Sequence, residues 1–249
     1  MPIQTVETRR LYRQIADQLR TLIVAGEFPV GSRLPAEREL CVQLGVSRPS
    51  LREALIALEV EGLVEVRIGS GIYARSRQEP APRLAEATHG PLEIIRARQL
   101  IEGELAAVAA RCQEPTLLPA LHESLATMAA DIAARRVPIR GDRMFHLCIA
   151  HASDNSALLD VVTGLFDERN GPLAERLVSH FEHAQSWRAA LDEHRAVVAA
   201  IAAHDAVGAR KAMRAHLQHS HDRFSVAWTS VAPLSTTPRP RSVQPQETP

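Results

Sequence analysis

Residues 33–74 read RLPAERELCVQLGVSRPSLREALIALEVEGLVEVRIGSGIYA, and the fold is decided in this stretch. Pro35 stands in the tolerated first turn of a short helix that Gly45 stops after Leu44. The Ser47 hydroxyl is placed to cap a third helix, with Leu51, Ala54, Leu55 and Leu58 on its buried face and Gly62 at its end. The chain then alternates apolar and polar through Leu63–Arg67, can turn at Gly69-Ser70-Gly71 and returns through Ile72–Arg75, the pattern of a small hairpin. Upstream, Leu11, Ile15, Leu19, Leu22 and Ile23 recur at helical spacing and predict a first helix from Thr8 to Ala25, ended by Gly26 and Pro29. Helix, short helix, turn, helix, hairpin is the order of a winged helix-turn-helix, whose third helix enters a major groove.

The same residues closely resemble the DNA-binding domain of the GntR family of bacterial regulators, with almost no departure from Arg33 to Ala74. The resemblance implies a DNA-binding transcriptional regulator, active as a homodimer on a short pseudo-palindrome of double-stranded DNA. The candidate DNA contacts are Arg38, Ser47, Arg48, Ser50, Arg52 and Gly69. Arg48 and Ser50 lie in the first turn of the third helix, where amides and side chains meet phosphates and base edges. Arg52 is expected one turn later on the same face, the alternative being a pair with Glu53 or Glu59. Arg38 takes its role from the resemblance, and Gly69 with Gly71 allows close approach of the wing backbone.

The chain has 249 residues, 45% hydrophobic and 23% charged, which is enough for a substantial core. Lys+Arg and Asp+Glu are both 29, so global basicity argues for neither nucleic acid nor a membrane surface, and any DNA-binding face must be local. No apolar run reaches membrane-spanning length and the N-terminus lacks a signal-peptide core, which predicts a cytoplasmic protein with no membrane partner. Cys41, Cys112 and Cys148 are odd in number and widely spaced, as suits reduced, buried thiols. All eleven histidines lie at or beyond His89, a first sign of two chemically different domains.

The expected organisation is a winged helix-turn-helix over 1–75 and a linker over 76–91. An all-α domain of six or seven helices follows over 92–228, with a Pro- and Ser/Thr-rich disordered tail over 229–249. Helix breaks are expected near Glu114-Pro115, Val137-Pro138, Ser153–Asn155, Gly171-Pro172, Ser186 and Asp205.

Within the helical part, Asp142 and His146 are four residues apart and share a helix face, so they can share a metal. His194 and His216 occupy later helices, where apolar neighbours would turn them inward. One carboxylate and three imidazoles suit a divalent ion with positions left open for water or a substrate oxygen. A chance pair of Asp142 and His146 is the competing reading from these residues alone. The segments IIRARQLIEGELAAVAA, DRMFHLCI and EHRAVVAAIAAHDAVGARKAMRAHL resemble the effector-binding FCD domain of the FadR subgroup. That resemblance implies metal ligation by Asp142, His146, His194 and His216, with zinc first and nickel or manganese as alternatives. It also implies a small carboxylate effector reached by Arg98, whose fork suits a carboxylate; the other reading of Arg98 is an intrahelical pair with Glu102. His151 and His219 are candidates for outer support of the ligands, or for plain surface. No further acid or base stands in a recognisable catalytic motif, so a non-enzymatic regulator is expected ahead of a metallohydrolase fused to a DNA-binding module, or a pure metal sensor.

Overall fold

The computed structural model describes residues 10–67, 69–76, 89–168, 173, 176, 178 and 183–226. The helix start at Thr8, most of the 76–91 linker, the break at Gly171-Pro172 and the 229–249 tail lie outside the described residues.

Helix α1, Leu11–Val24, turns Tyr12, Ile15, Ala16, Leu19 and Ile23 inward along one stripe. The short α2, Glu37–Leu44, ends on Gly45 in the left-handed region at φ +66°. Helix α3, Arg48–Val60, begins at Ser47, whose hydroxyl accepts from the Ser50 amide at 3.4 Å. Strands β1, Val64–Arg67, and β2, Gly71–Ala74, pair antiparallel with Val64 opposite Ala74 and Arg67 opposite Gly71. The wing turns through Gly69 at φ +75°. Arg20 ties α1 to the end of α3, donating to both Glu61 oxygens at 2.8 Å. This is the three-helix domain with a two-stranded wing that the pattern predicts.

Six further helices have both ends among the described residues: α4, Pro91–Ala109; α5, Leu117–Ala133; α6, Ile139–His151; α7, Ser156–Glu168; α8, Ala184–Ala202; and α9, Ala206–Val226. The expected breaks at 114–115, 137–138, 153–155 and 205 fall between these helices. The break expected near Ser186 falls just before it, since α8 begins at Ala184 and Ser186 is part of its cap. The Ser186 amide donates to His183 Nδ1 at 3.3 Å and its hydroxyl accepts from the His183 amide at 2.9 Å, a reciprocal pair that starts the helix. Asp205 Oδ1 accepts from the Gly208 amide at 2.8 Å and so supports the first turn of α9.

Helix α4 lies along α9, α5 packs on α6 and α8, and α6 also meets α4 and α7. Contact between α5 and α6 depends on Gly141. A Cβ there would stand 2.7 Å from the Ser124 carbonyl and the Met128 amide, so only glycine lets α6 come this close and bring Asp142 with it.

One hydrophobic core runs from Ile15 and Leu55 in the winged domain through Leu92 and Ile95 to Phe145, Val197 and Leu217. The two parts therefore share a core where the sequence suggests only a linker, because α3 packs on α4 and α9. The three cysteines are free and half-buried, with Cys41, Cys112 and Cys148 packed at the margin of this core rather than inside it.

Candidate metal centre and nucleic-acid interface

Asp142 and His146 stand one turn apart on α6, His194 comes from the middle of α8 and His216 from α9. Each offers one ligand atom, and the four atoms lie within 4.8 Å of one another. His194 Nε2 is 3.4 Å from His146 Nε2 and 3.2 Å from Asp142 Oδ1, and His146 Nε2 is 3.7 Å from that oxygen. All three imidazoles are buried.

What orients them lies behind. His146 Nδ1 bonds to Glu102 Oε2, His194 Nδ1 donates to the Ala190 carbonyl at 2.6 Å, and His216 Nδ1 donates to Glu193 Oε2 at 2.9 Å. With each Nδ1–H committed, each Nε2 turns a lone pair inward, towards the others and a carboxylate oxygen. Such a group repels itself unless a cation sits among its members. Ligands held at ~2.0–2.2 Å from a zinc-like ion stand ~3.0–3.6 Å apart, close to the separations found. Burial first, and His194 second, push the His216 ring down to about 3 against the pull of Glu193. That ring is neutral, as ligation requires. The residues fit a divalent ion.

Glu102 and Glu193 hold His146 and His216 from behind, a placement the sequence reading did not assign to either. Burial alone would raise the Glu102 carboxyl, but Arg98 and then His146 outweigh it and hold the group down to about 2. Glu193 is likewise held at about 2 against burial, chiefly by hydrogen bonds from His216 and Arg223. It also accepts from His219 at 3.1 Å, so His219, itself exposed, shares this carboxylate with His216. His151 is exposed at the end of α6. The spacing of Glu102 from Arg98 hinted at a partnership, whereas nothing in the sequence separated Glu193 from any other helical glutamate.

A cavity of about 400 Å³ opens onto Asp142 and His216, walled by Arg98, Arg143, Arg223 and apolar groups that include Phe166 and Trp187. Arg98 makes the intrahelical pair with Glu102 and also stands in the cavity wall. Its Nε donates to Glu102 Oε1 at 2.6 Å, its guanidinium lies 3.9 Å over the Phe166 ring, and its Nη2 is buried with no hydrogen-bond partner among the described residues. A buried cationic donor with nothing to donate to, in the wall of a cavity, suits an anionic ligand.

On the winged domain, Arg38, Ser47, Arg48 and Gly69 are exposed and Ser50 is half-buried. Arg52 is not on that face. It is 1% exposed, with Nη2 at 2.9 and 3.0 Å from the two Glu37 oxygens. Four residues advance a helix by slightly more than one turn, so Arg52 lies roughly 40° round from Arg48, on the side of α2 where Glu37 stands. Of the alternative partners, Glu53 accepts from the Leu92 amide, and Glu59 from the Val66 amide and Arg176. Among the described residues no helix is long and apolar enough to cross a membrane.

Residues 11–74 match the family described as bacterial regulatory proteins, gntR family, and residues 93–219 match the FCD domain. The Uxu operon transcriptional regulator of Escherichia coli K12 is 34% identical over 225 residues, covering 87% of this chain and 87% of that protein. The Exu regulon transcriptional regulator of the same strain is 35% identical, covering 88% and 86%. A putative L-lactate dehydrogenase operon regulatory protein, also from that strain, is 37% identical, covering 86% of each.

Proposed function

We propose, starting from the fact that the chain belongs to the GntR family of bacterial regulators and carries an FCD domain, that a small organic acid bound at a divalent metal in the helical domain sets its affinity for an operator. The protein is a transcriptional regulator. The observation that carries the metal-and-acid reading is the convergence, beside one cavity, of four ligand atoms and a buried guanidinium whose Nη2 has no hydrogen-bond partner among the described residues. Asp142, His146, His194 and His216 would hold the ion, zinc before nickel or manganese. When bound, it supplies a hard positive docking point for carboxylate and hydroxyl oxygens. Arg98 Nη2 donates to the acid, while Phe166 and Glu102 hold the guanidinium in place. Hydroxy acids, sugar acids and dicarboxylates fit this chemistry, and a relative named for an L-lactate dehydrogenase operon makes hydroxy acids the first class to try.

On DNA, Arg38, Ser47, Arg48, Ser50 and the wing at Gly69 face a short pseudo-palindrome in a homodimer. Arg52 works from inside, holding α3 against α2. The chain acts by binding and not by turnover.

Mass spectrometry of natively purified protein identifies the co-purified metal and acid together. Operator affinity is then measured with and without L-lactate, D-glucuronate and citrate, in the wild type and in His216→Ala. The mutant is expected to bind operator, lose most of its metal and lose the acid response. A mutant free of metal by elemental analysis with an undiminished acid shift refutes the mechanism.

A further inference from the structure

Helix α4 faces two ways. Along its middle it carries Arg98 in the cavity wall and Glu102 behind His146. Its N-terminus meets the reading helix of the winged domain. There Glu53, from the middle of α3 and 5% exposed, accepts from the Leu92 amide at 2.8 Å, and the Glu93 amide bonds the same carboxylate.

The first amides of a helix have no partners of their own, and α4 starts on Gly90, which has no side chain to cap them. A carboxylate from the other domain does what a serine or aspartate would do locally, and it sits at the favourable end of the helix dipole. Gly90 belongs to the same contact. Its φ of −66° is one any residue adopts, yet an added Cβ would stand 2.5 Å from Glu53 Oε1. A side chain there would have to push the carboxylate aside, so the contact, not the turn, favours glycine. The other ionisable groups facing Glu53 are Glu93 and Arg96 on α4 and Tyr12 on α1.

We propose that Glu53 is a positioning residue that fixes the reading helix to α4, so that the state of the metal and acid site reaches α3 through α4 as a rigid rod. This rests on the metal-and-acid reading above. From Leu92 to Glu102 is ~15 Å of helix, and from Glu53 back to Arg48 is ~8 Å more. A shift of Glu102 with the ligand shell is thereby delivered to the residues at the N-terminus of α3. Direct packing of α3 on α4 then carries the signal alongside the 76–91 segment.

The test is amide hydrogen exchange on the full chain with and without Zn²⁺, in the wild type, Glu53→Ala, Glu53→Gln and Gly90→Ala. Zinc is expected to slow exchange on α6 and α8 in all four proteins. In the wild type and in Glu53→Gln, whose amide oxygen still accepts from Leu92, the slowing extends to α3 by about fivefold or more. In Glu53→Ala and Gly90→Ala it stops short of α3, while zinc affinity stays within about twofold of wild type, as expected for a site that shares no ligand with the contact. Gly90→Ala keeps Glu53 in the chain and strains no backbone, so it carries the test even if Glu53→Ala folds poorly. Equal slowing of α3 in all four proteins overturns the proposal, and so does a wild type in which α6 responds and α3 does not. If zinc changes neither α6 nor α8, it is the metal site that fails, and the proposal falls with it.

Discussion

Glu102→Gln removes a negative charge from a place closed to water: Glu102, Arg98 and His146 are all 2% exposed or less. The carboxylate serves two donors, Arg98 Nε through one oxygen and His146 Nδ1 through the other. A glutamine has one accepting oxygen, and its NH₂ group would be turned against one of these N–H groups. Breaking a buried ion pair by removing one partner costs about 3–5 kcal/mol. Arg98 keeps its stacking on Phe166, which places the loss near the lower end, about 3 kcal/mol. For a chain of this length that lowers the Tm by about 6–12 °C. Losing the outer partner of a ligating histidine weakens metal binding about 10–100-fold. The assays are thermal unfolding of the metal-free protein and zinc affinity by chelator competition, both at pH 7. A variant that matches wild type in both refutes the reasoning, and one that loses Tm but keeps zinc affinity confines Glu102 to neutralising Arg98.

Arg48→Ala should leave the Tm unchanged and cost about 1–3 kcal/mol on the cognate operator, with a much smaller loss on random DNA. Arg52→Ala strands Glu37 and should lower the Tm of the winged domain, with cognate and random DNA weakened together; an unchanged Tm would return Arg52 to the DNA face. Gly141→Ala drives a Cβ into the backbone of α5 and should cost about 1–3 kcal/mol and weaken zinc binding with it, because Asp142 is the next residue; unchanged zinc affinity by chelator competition would separate the helix crossing from the site. Burial first, against Leu92 and Arg96, pushes the Glu53 carboxyl up from 4.5 to about 7. The folded state thus holds a proton there that the unfolded chain has released, so this contribution is complete below pH ~4.5 and is lost as pH rises through ~7. Glu53→Gln cannot release that proton, so denaturant titrations should show it gaining on wild type by up to about 3 kcal/mol between those pH values; parallel pH profiles would show that Glu53 ionises freely.

Much of this protein follows from local rules. The apolar stripe of α1, Gly45 after α2, the Ser47 cap and the alternation across the wing each act within a few residues, so the winged domain is legible from the sequence alone. The ligand set was legible in part. Asp142 and His146 share a helical face by spacing alone, whereas apolar neighbours only turned His194 and His216 inward and resemblance was needed to favour one shared set, since no local rule relates separate helices. Tertiary structure decided the rest. Arg52 turned inward because the nearest anion, Glu37, lies on another helix, and helical spacing says where a side chain starts but not which charge it meets. Glu102 and Glu193 became supports, and Glu53 the cap of a distant helix, because burial leaves a carboxylate only the donors that packing brings to it. Those donors come from residues far away in the chain, so the partners of a buried charge are settled only when the helices have packed.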